Sequence, residues 1–158
     1  MEVRSYREGD AEALAEVFHR SVREGAARRY SAAAVAAWSP ELRPAEVWEK
    51  RLEGTDTIVA TEDGVLIGFM NIDAKGYLDL AFVLPEVMGK GVADAIYAVL
   101  EGRARATGLD TLTVQASLLA EPFFARQGWS LVRRQEIEIG GEVLRNARME
   151  KRLRAEAA

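Results

Sequence analysis

The chain has 158 residues, a formal charge of −4 at pH 7, 49% hydrophobic and 29% charged residues, and 13 glycines against 4 prolines. That length supports one substantial core, and the apolar content excludes a chain disordered throughout, so a single domain over residues 1–158 with a frayed tail from about 154 is expected. The acidic balance gives no whole-molecule attraction to nucleic acid, and the absence of cysteine removes disulfides, thiolate catalysis and thiolate-held metals together.

His19 is the one histidine, which rules out a multi-histidine zinc site, and no carboxylate cluster asks for a metal. No apolar run reaches the roughly 18 residues of a membrane span, and the start "MEVRSYREGDAE" lacks a basic segment before an apolar signal core. The expectation is a cytoplasmic protein without membrane or nucleic-acid partners.

In chain order, "MEVRSY" alternates like an edge strand, and Asp10 is placed to accept from the free amides of a helix buried along Leu14, Val17, Phe18 and Val22 and ending near Gly25. Ser31 reads as the cap of "AAAVAAW", and Pro44 as the opening of a short helix with Val47, Trp48 and Leu52. The period then becomes strand-like: "TIVAT", the turn "EDG" and "VLIGFMNID" make a hairpin, followed by "YLDLAFV". Simple alternation in that strand sets Leu78, Leu80 and Phe82 on one face and Tyr77, Asp79, Ala81 and Val83 on the other. A helix over 92–107, the strand "LDTLTVQA", a short helix in "AEPFFARQG" and a closing hairpin complete the order. A mixed, mostly antiparallel α/β sheet of six to seven strands with helices on both faces covers this pattern.

The turn "MGKGVA" sits between a buried strand and a helix. Amides at such a helix start lack intrahelical acceptors, and Gly89 and Gly91 leave the backbone approachable, so an anion would gain amide hydrogen bonds, the helix field and the mobile charge of Lys90. A turn that merely needs permissive dihedrals is the other reading of the same glycines. Neither a Walker A loop nor a full dinucleotide fingerprint is present.

The run "AFVLPEVMGKGVADAIYAVL" with "LDTLTVQAS" and "EPFFARQGWS" resembles the core of the GCN5-related N-acetyltransferase (GNAT) superfamily, over about Ile58 to Glu150. The N-terminal "FHRSVREGAARRYSAAAVAAWSP" is similar to that of its YafP-type group. The resemblance implies an acyl-coenzyme A-dependent N-acyltransferase (EC 2.3.1 class), with a cofactor cleft where the strand pair around Val83 and Val114 splays apart. The pyrophosphate of acetyl-CoA would lie over Met88, Gly89, Lys90, Gly91, Val92 and Ala93, with Gly91 and Ala93 at the two small positions of the family pattern. Met88 stands where that pattern has glutamine or arginine. The pantetheine arm would run beside Ala81, Phe82 and Val83, with Ser117 and Phe124 also at the cofactor and a backbone amide near Phe82 or Val83 facing the oxyanion.

The implied reaction is attack of a neutral primary amine, on a small molecule or peptide, upon the thioester. Many relatives protonate the thiolate with a tyrosine at the position of Phe124, so Ser117, Tyr30 or water is left for that role, and Asp79 is the favoured base ahead of Asp73 and Glu121. His19 is either catalytic or a rim residue. Tyr30 and Trp38 form an aromatic acceptor wall or pack between short helices, and Arg28 and Arg29 attract an acidic substrate group or are solvated. A noncatalytic acyl-coenzyme A sensor and an enzyme for another acyl group are the alternatives, and a homodimer through the two closing strands is compatible with the pattern.

Overall fold

The computed structural model describes residues 1–154, and the part of the tail beyond 154 that was expected to fray lies outside the described residues. Seven strands form one sheet: β1 (Glu2–Ser5), β2 (Asp56–Glu62), β3 (Val65–Ile72), β4 (Tyr77–Val83), β5 (Thr111–Ser117), β6 (Ser130–Ile139) and β7 (Glu142–Arg152). Their order is β1-β2-β3-β4-β5-β7-β6. The β4–β5 pair is parallel and every other neighbouring pair is antiparallel, which is the mixed sheet the sequence pattern implied. Among the described residues no helix is long and apolar enough to cross a membrane.

The helices are α1 (Ala11–Arg20), α2 (Ala32–Trp38), α3 (Ala45–Leu52), α4 (Val92–Ala106) and α5 (Glu121–Arg126). The expected stripe of α1 is buried at Leu14, Val17, Phe18 and Val22, but the helical run continues past Arg20 through a π turn, Ser21–Gly25, and a 3-10 turn, Ala26–Arg28. Gly25 is not a left-handed stop: its φ is −79°, and what its missing side chain provides is room for the methyl of Met88. Asp10 also behaves differently from expectation. It makes no side-chain cap, because its carboxylate is engaged by the Arg4 guanidinium at 2.7 and 3.0 Å and by the Arg7 amide at 2.9 Å. The Ser31 cap forms as read, accepting from the Ala34 amide at 3.1 Å.

Alternation on β3 and β4 assigns the two layers. Phe69 and Phe82, paired across the strands, meet Trp48 of α3 and Phe18 of α1. Gly68 and Val83 face the other way, against Ile96 of α4. On that second face Tyr97 of α4 packs on Phe123 of α5 and receives a 2.9 Å hydrogen bond from the buried Trp129 indole.

A register shift between Asn71 and Ile72 interrupts this alternation. Two residues of β4 oppose one of β3, so the faces exchange across the irregularity. The fully buried Asn71 carboxamide completes it by accepting from the Leu80 amide at 2.9 Å. In consequence Asp79 does not share a face with Ala81 and Val83, as simple alternation required: it points to the N-terminal helices and ion-pairs with Arg51 of α3 at 3.5 Å. Replacing Asn71 by alanine orphans the buried Leu80 amide and should cost about 1–3 kcal/mol, read as a lowered urea midpoint with an unchanged m-value; a loss below about 0.5 kcal/mol would show that the irregularity stands without it.

Candidate active site

Pairing between the parallel strands β4 and β5 is confined to Tyr77 with Thr113 and Leu78 with Val114, although both strands run on to Val83 and Ser117. Beyond Leu78 and Val114 the strands part. Leu80 donates to Asn71 and Leu84 donates to the Ile67 carbonyl at 2.9 Å, so the even-numbered amides from Leu80 onward point at β3. Strand geometry then turns the amides of Ala81 and Val83 toward the opening. This selects Val83, joined by Ala81, over Phe82 as the strand donor on the cleft side.

The cleft has a volume of about 240 Å³. Its outer end is the turn after β4, where a short 3-10 turn, Pro85–Val87, leads to α4. Met88 donates to the Pro85 carbonyl at 3.3 Å and Lys90 to that of Val87 at 3.2 Å, so two of the six amides from Met88 to Ala93 are already engaged. Those of Gly89, Gly91, Val92 and Ala93 have no protein acceptor among the described residues. Both glycines are left-handed, with φ of +77° and +82°, and no atom would lie within 4 Å of a Cβ on either. The turn thus needs glycine for its dihedrals, and the space above it is open.

Further in, the walls are Ala81, Phe82, Val83, Met88, Val92, Ala93, Phe123 and Phe124. Met88 packs its methyl against Gly25, so its side chain seals the cleft to the N-terminal segment. Ser21 locks the inner strand by donating to the Val83 carbonyl at 2.5 Å. Two cations line this cleft: Arg28, for which the sequence left an acidic substrate group or solvent as partners, and Arg126, one turn beyond Phe123 in α5, which the sequence reading did not single out. Neither is paired with a carboxylate among the described residues. Arg20, by contrast, is held by both Glu86 and Glu24 at 2.8 Å. An anionic group with an apolar extension fits this set of open amides, free guanidinium groups and apolar wall.

Trp38, Ser117, Phe124, Ala81, Phe82 and Ala120 line both this cleft and a second space of about 110 Å³ that holds Asp79 and Arg51. Trp38 and Ser117 also line a third, of about 160 Å³, which reaches between α2 and the β6–β7 hairpin. Trp38 is therefore more than the packing residue its sequence context favoured, although it does stack edge-on with Phe82 and Tyr30. Phe124 is 1% exposed and separates the first two spaces. Ser117 Oγ accepts from the Ala120 amide at 3.1 Å, which leaves its own proton to donate.

The Tyr30 hydroxyl accepts from the Leu118 amide at 2.9 Å and donates to the Arg145 carbonyl. Its one proton is committed there, and burial raises its pKa, so the geometry favours a tie between chain segments over the proton donor expected of it. His19 Nδ1 lies 2.6 Å from Ser39 Oγ and lines none of the three spaces, as for a rim residue. Asp73 caps its own turn through the Lys75 and Tyr77 amides, and Glu121 is clamped by Arg134.

Comparison with known proteins agrees with this architecture. A family model described as acetyltransferase (GNAT) domain matches residues 26–153. The chain is 33% identical over 143 residues to YafP of Escherichia coli (strain K12), an uncharacterized N-acetyltransferase, covering 89% of each. The crystal structure of a GCN5-related N-acetyltransferase from Rhodopseudomonas palustris superposes with a TM-score of 0.89 at 34% identity, over 96% of this chain and 95% of that one. A phosphinothricin acetyltransferase from Sinorhizobium meliloti, solved with acetyl-CoA, shares the fold at 20% identity and a TM-score of 0.77, over 96% of this chain and 88% of the other. The chain belongs to the GNAT acetyltransferase family, and is thereby an N-acetyltransferase that draws on acetyl-CoA.

Proposed function

We propose that the protein transfers the acetyl group of acetyl-CoA to a neutral primary amine of a small molecule or peptide by direct attack on the thioester. The observation that carries this reading is the sequence of groups along one cleft: four open amides at the mouth, an apolar channel, and two strand amides where β4 leaves β5. When bound, acetyl-CoA supplies an acetyl group already activated as a thioester. The amides of Gly89, Gly91, Val92 and Ala93, at the positive end of α4, hold the diphosphate, and Arg28, Arg126 and the mobile Lys90 add charge. Ala81 and Val83 direct their N–H groups at the carbonyl oxygen, and their fixed strand orients the reacting centre.

Phe124 has no hydroxyl to protonate the departing sulfur, and Tyr30 has its proton engaged. Ser117 takes this position, as a donor to the thiolate or to a water it holds. Asp79 is the carboxylate lining the adjoining space and accepts the proton of the incoming amine once its contact with Arg51 loosens. Trp38, Phe82 and Phe124 keep bulk water from the junction.

Titration with acetyl-CoA followed by thiol release over a panel of amines tests the reading. Saturable binding without amine-dependent thiol release would leave a binding protein, and no saturation at high micromolar concentration would remove the assignment altogether. A glutamate at Gly91 opposes the diphosphate with charge and a strained backbone, and should raise the Kd for acetyl-CoA at least about a hundredfold, roughly 2.7 kcal/mol, with the far-UV circular dichroism retained. Ser117→Ala should lower kcat about tenfold or more with little change in the KM for acetyl-CoA; an unchanged kcat would relieve Ser117 of the role.

A further inference from the structure

The third space has features the transfer reaction alone does not explain. It opens at Trp38 and Ser117, at the junction with the cofactor cleft, and runs under Tyr30 to Ile137, Ile139 and Leu144 of the closing hairpin. None of the residues lining it is charged. Among the described residues, Asn146 Oδ1 is the buried side-chain oxygen or nitrogen left without a hydrogen-bond partner, and Asn146, 6% exposed, lines this space. Tyr77 lies on the same wall, its hydroxyl has no protein hydrogen bond among the described residues, and burial raises its pKa.

A second ammonium or a carboxylate carried into this space would meet no counter-charge on its walls, whereas a neutral apolar group meets isoleucine, leucine and aromatic surface. An unpaired buried amide oxygen is a standing cost that a ligand donor removes, and the soft χ2 torsion of asparagine lets the carboxamide turn to meet it. Space of this order accommodates a ring of about benzene's size.

Resting on the transfer reaction proposed above, we infer that this space binds the acceptor, and that it selects a primary amine whose body is a neutral, ring-sized apolar group with a hydrogen-bond donor at its far end. The amine stays at the Trp38–Ser117 junction, the ring lies against Ile137, Ile139 and Leu144, and the distal donor reaches Asn146. Polyamines and amines with acidic side chains are disfavoured by the same walls.

Tyramine and phenethylamine differ only in the distal donor, and spermidine supplies the cationic contrast. With acetyl-CoA present, tyramine should be acetylated with a kcat/KM about tenfold above phenethylamine, the factor that about 1.4 kcal/mol of net hydrogen bonding carries, and spermidine should be the poorest. Calorimetric titration of tyramine into the coenzyme A complex should show the same preference without turnover. Asn146→Leu should abolish the difference between the two arylalkylamines, and Ile139→Trp should raise the KM for both about tenfold, each with unchanged acetyl-CoA affinity. Equal use of the two amines, a preference for spermidine, or retention of the tyramine preference in Asn146→Leu overturns the inference. If spermidine alone is acetylated, the transfer reading stands and only this choice of acceptor falls; if acetyl-CoA does not bind, both fall.

Discussion

The architecture turns on one ladder that stops. Parallel strands that part after Leu78 and Val114 each keep an edge of unpaired backbone groups, and a buried amide or carbonyl without a partner is costly. Side chains meet some of the polar groups near the opening. Ser21 takes the Val83 carbonyl, and the Tyr30 hydroxyl stands between the Leu118 amide and the Arg145 carbonyl, just past the last β5–β7 pair of Ser117 with Asn146. Phe124 fills the gap between the strands with a ring that has no hydrogen bonds to satisfy. The remaining donors, on Ala81 and Val83, face the opening. These two amides are the donors that the proposed reaction would offer to a ligand carbonyl.

How much of this was legible depended on whether the deciding contact was local. The strand-turn-helix at Met88 to Ala93 could be read because left-handed glycines and a preceding proline mark it within a few residues, and the stripe of α1 because its period shows over three turns. Ser31 was recognisable as a cap for the same reason. Asp79 was assigned to the wrong face because its orientation is set by Asn71 on the neighbouring strand, and a single extra residue reverses every side chain beyond it. Asp10 has the composition of a cap, yet Arg4 six residues earlier competes for its carboxylate and wins. Gly25 looked like a stop until Met88, far along the chain, filled the space beside it.

An anionic cofactor sits awkwardly with a formal charge of −4 until distance is considered. Exposed charges more than about 8 Å apart are largely screened at physiological ionic strength, so the sum over the surface matters less than the pairing near the mouth. There the glutamates are spoken for, Glu86 and Glu24 by Arg20 and Glu121 by Arg134, while Asp94, on the cleft wall, accepts from the Gln127 side-chain amide at 2.7 Å and keeps its charge. The pKa shifts of the glutamates agree, since hydrogen bonds from Arg20 and Arg134 hold the Glu86 and Glu121 carboxyls below their ordinary values. Arg28 and Arg126 are left over beside the open end of α4. With the glutamates neutralised, two free guanidinium groups outweigh Asp94 at the mouth.

Polarity then falls from the cleft to the third space, with the Asp79–Arg51 pair set to one side in the second. Free cations and amides at the mouth give way to an apolar channel, to two amides and a serine at the opening of the sheet, and beyond Trp38 to a space without any charge. A ligand can follow that gradient in one direction only, with its charged end at α4 and its neutral end at the sheet. On the proposed reading the acceptor approaches from the opposite side and leaves its own charge at the junction, because no counter-charge lines the space further in. On the same reading, loss of the ammonium proton, which makes an amine nucleophilic, falls to Asp79 in the adjoining space, while the uncharged third space determines which amines can enter.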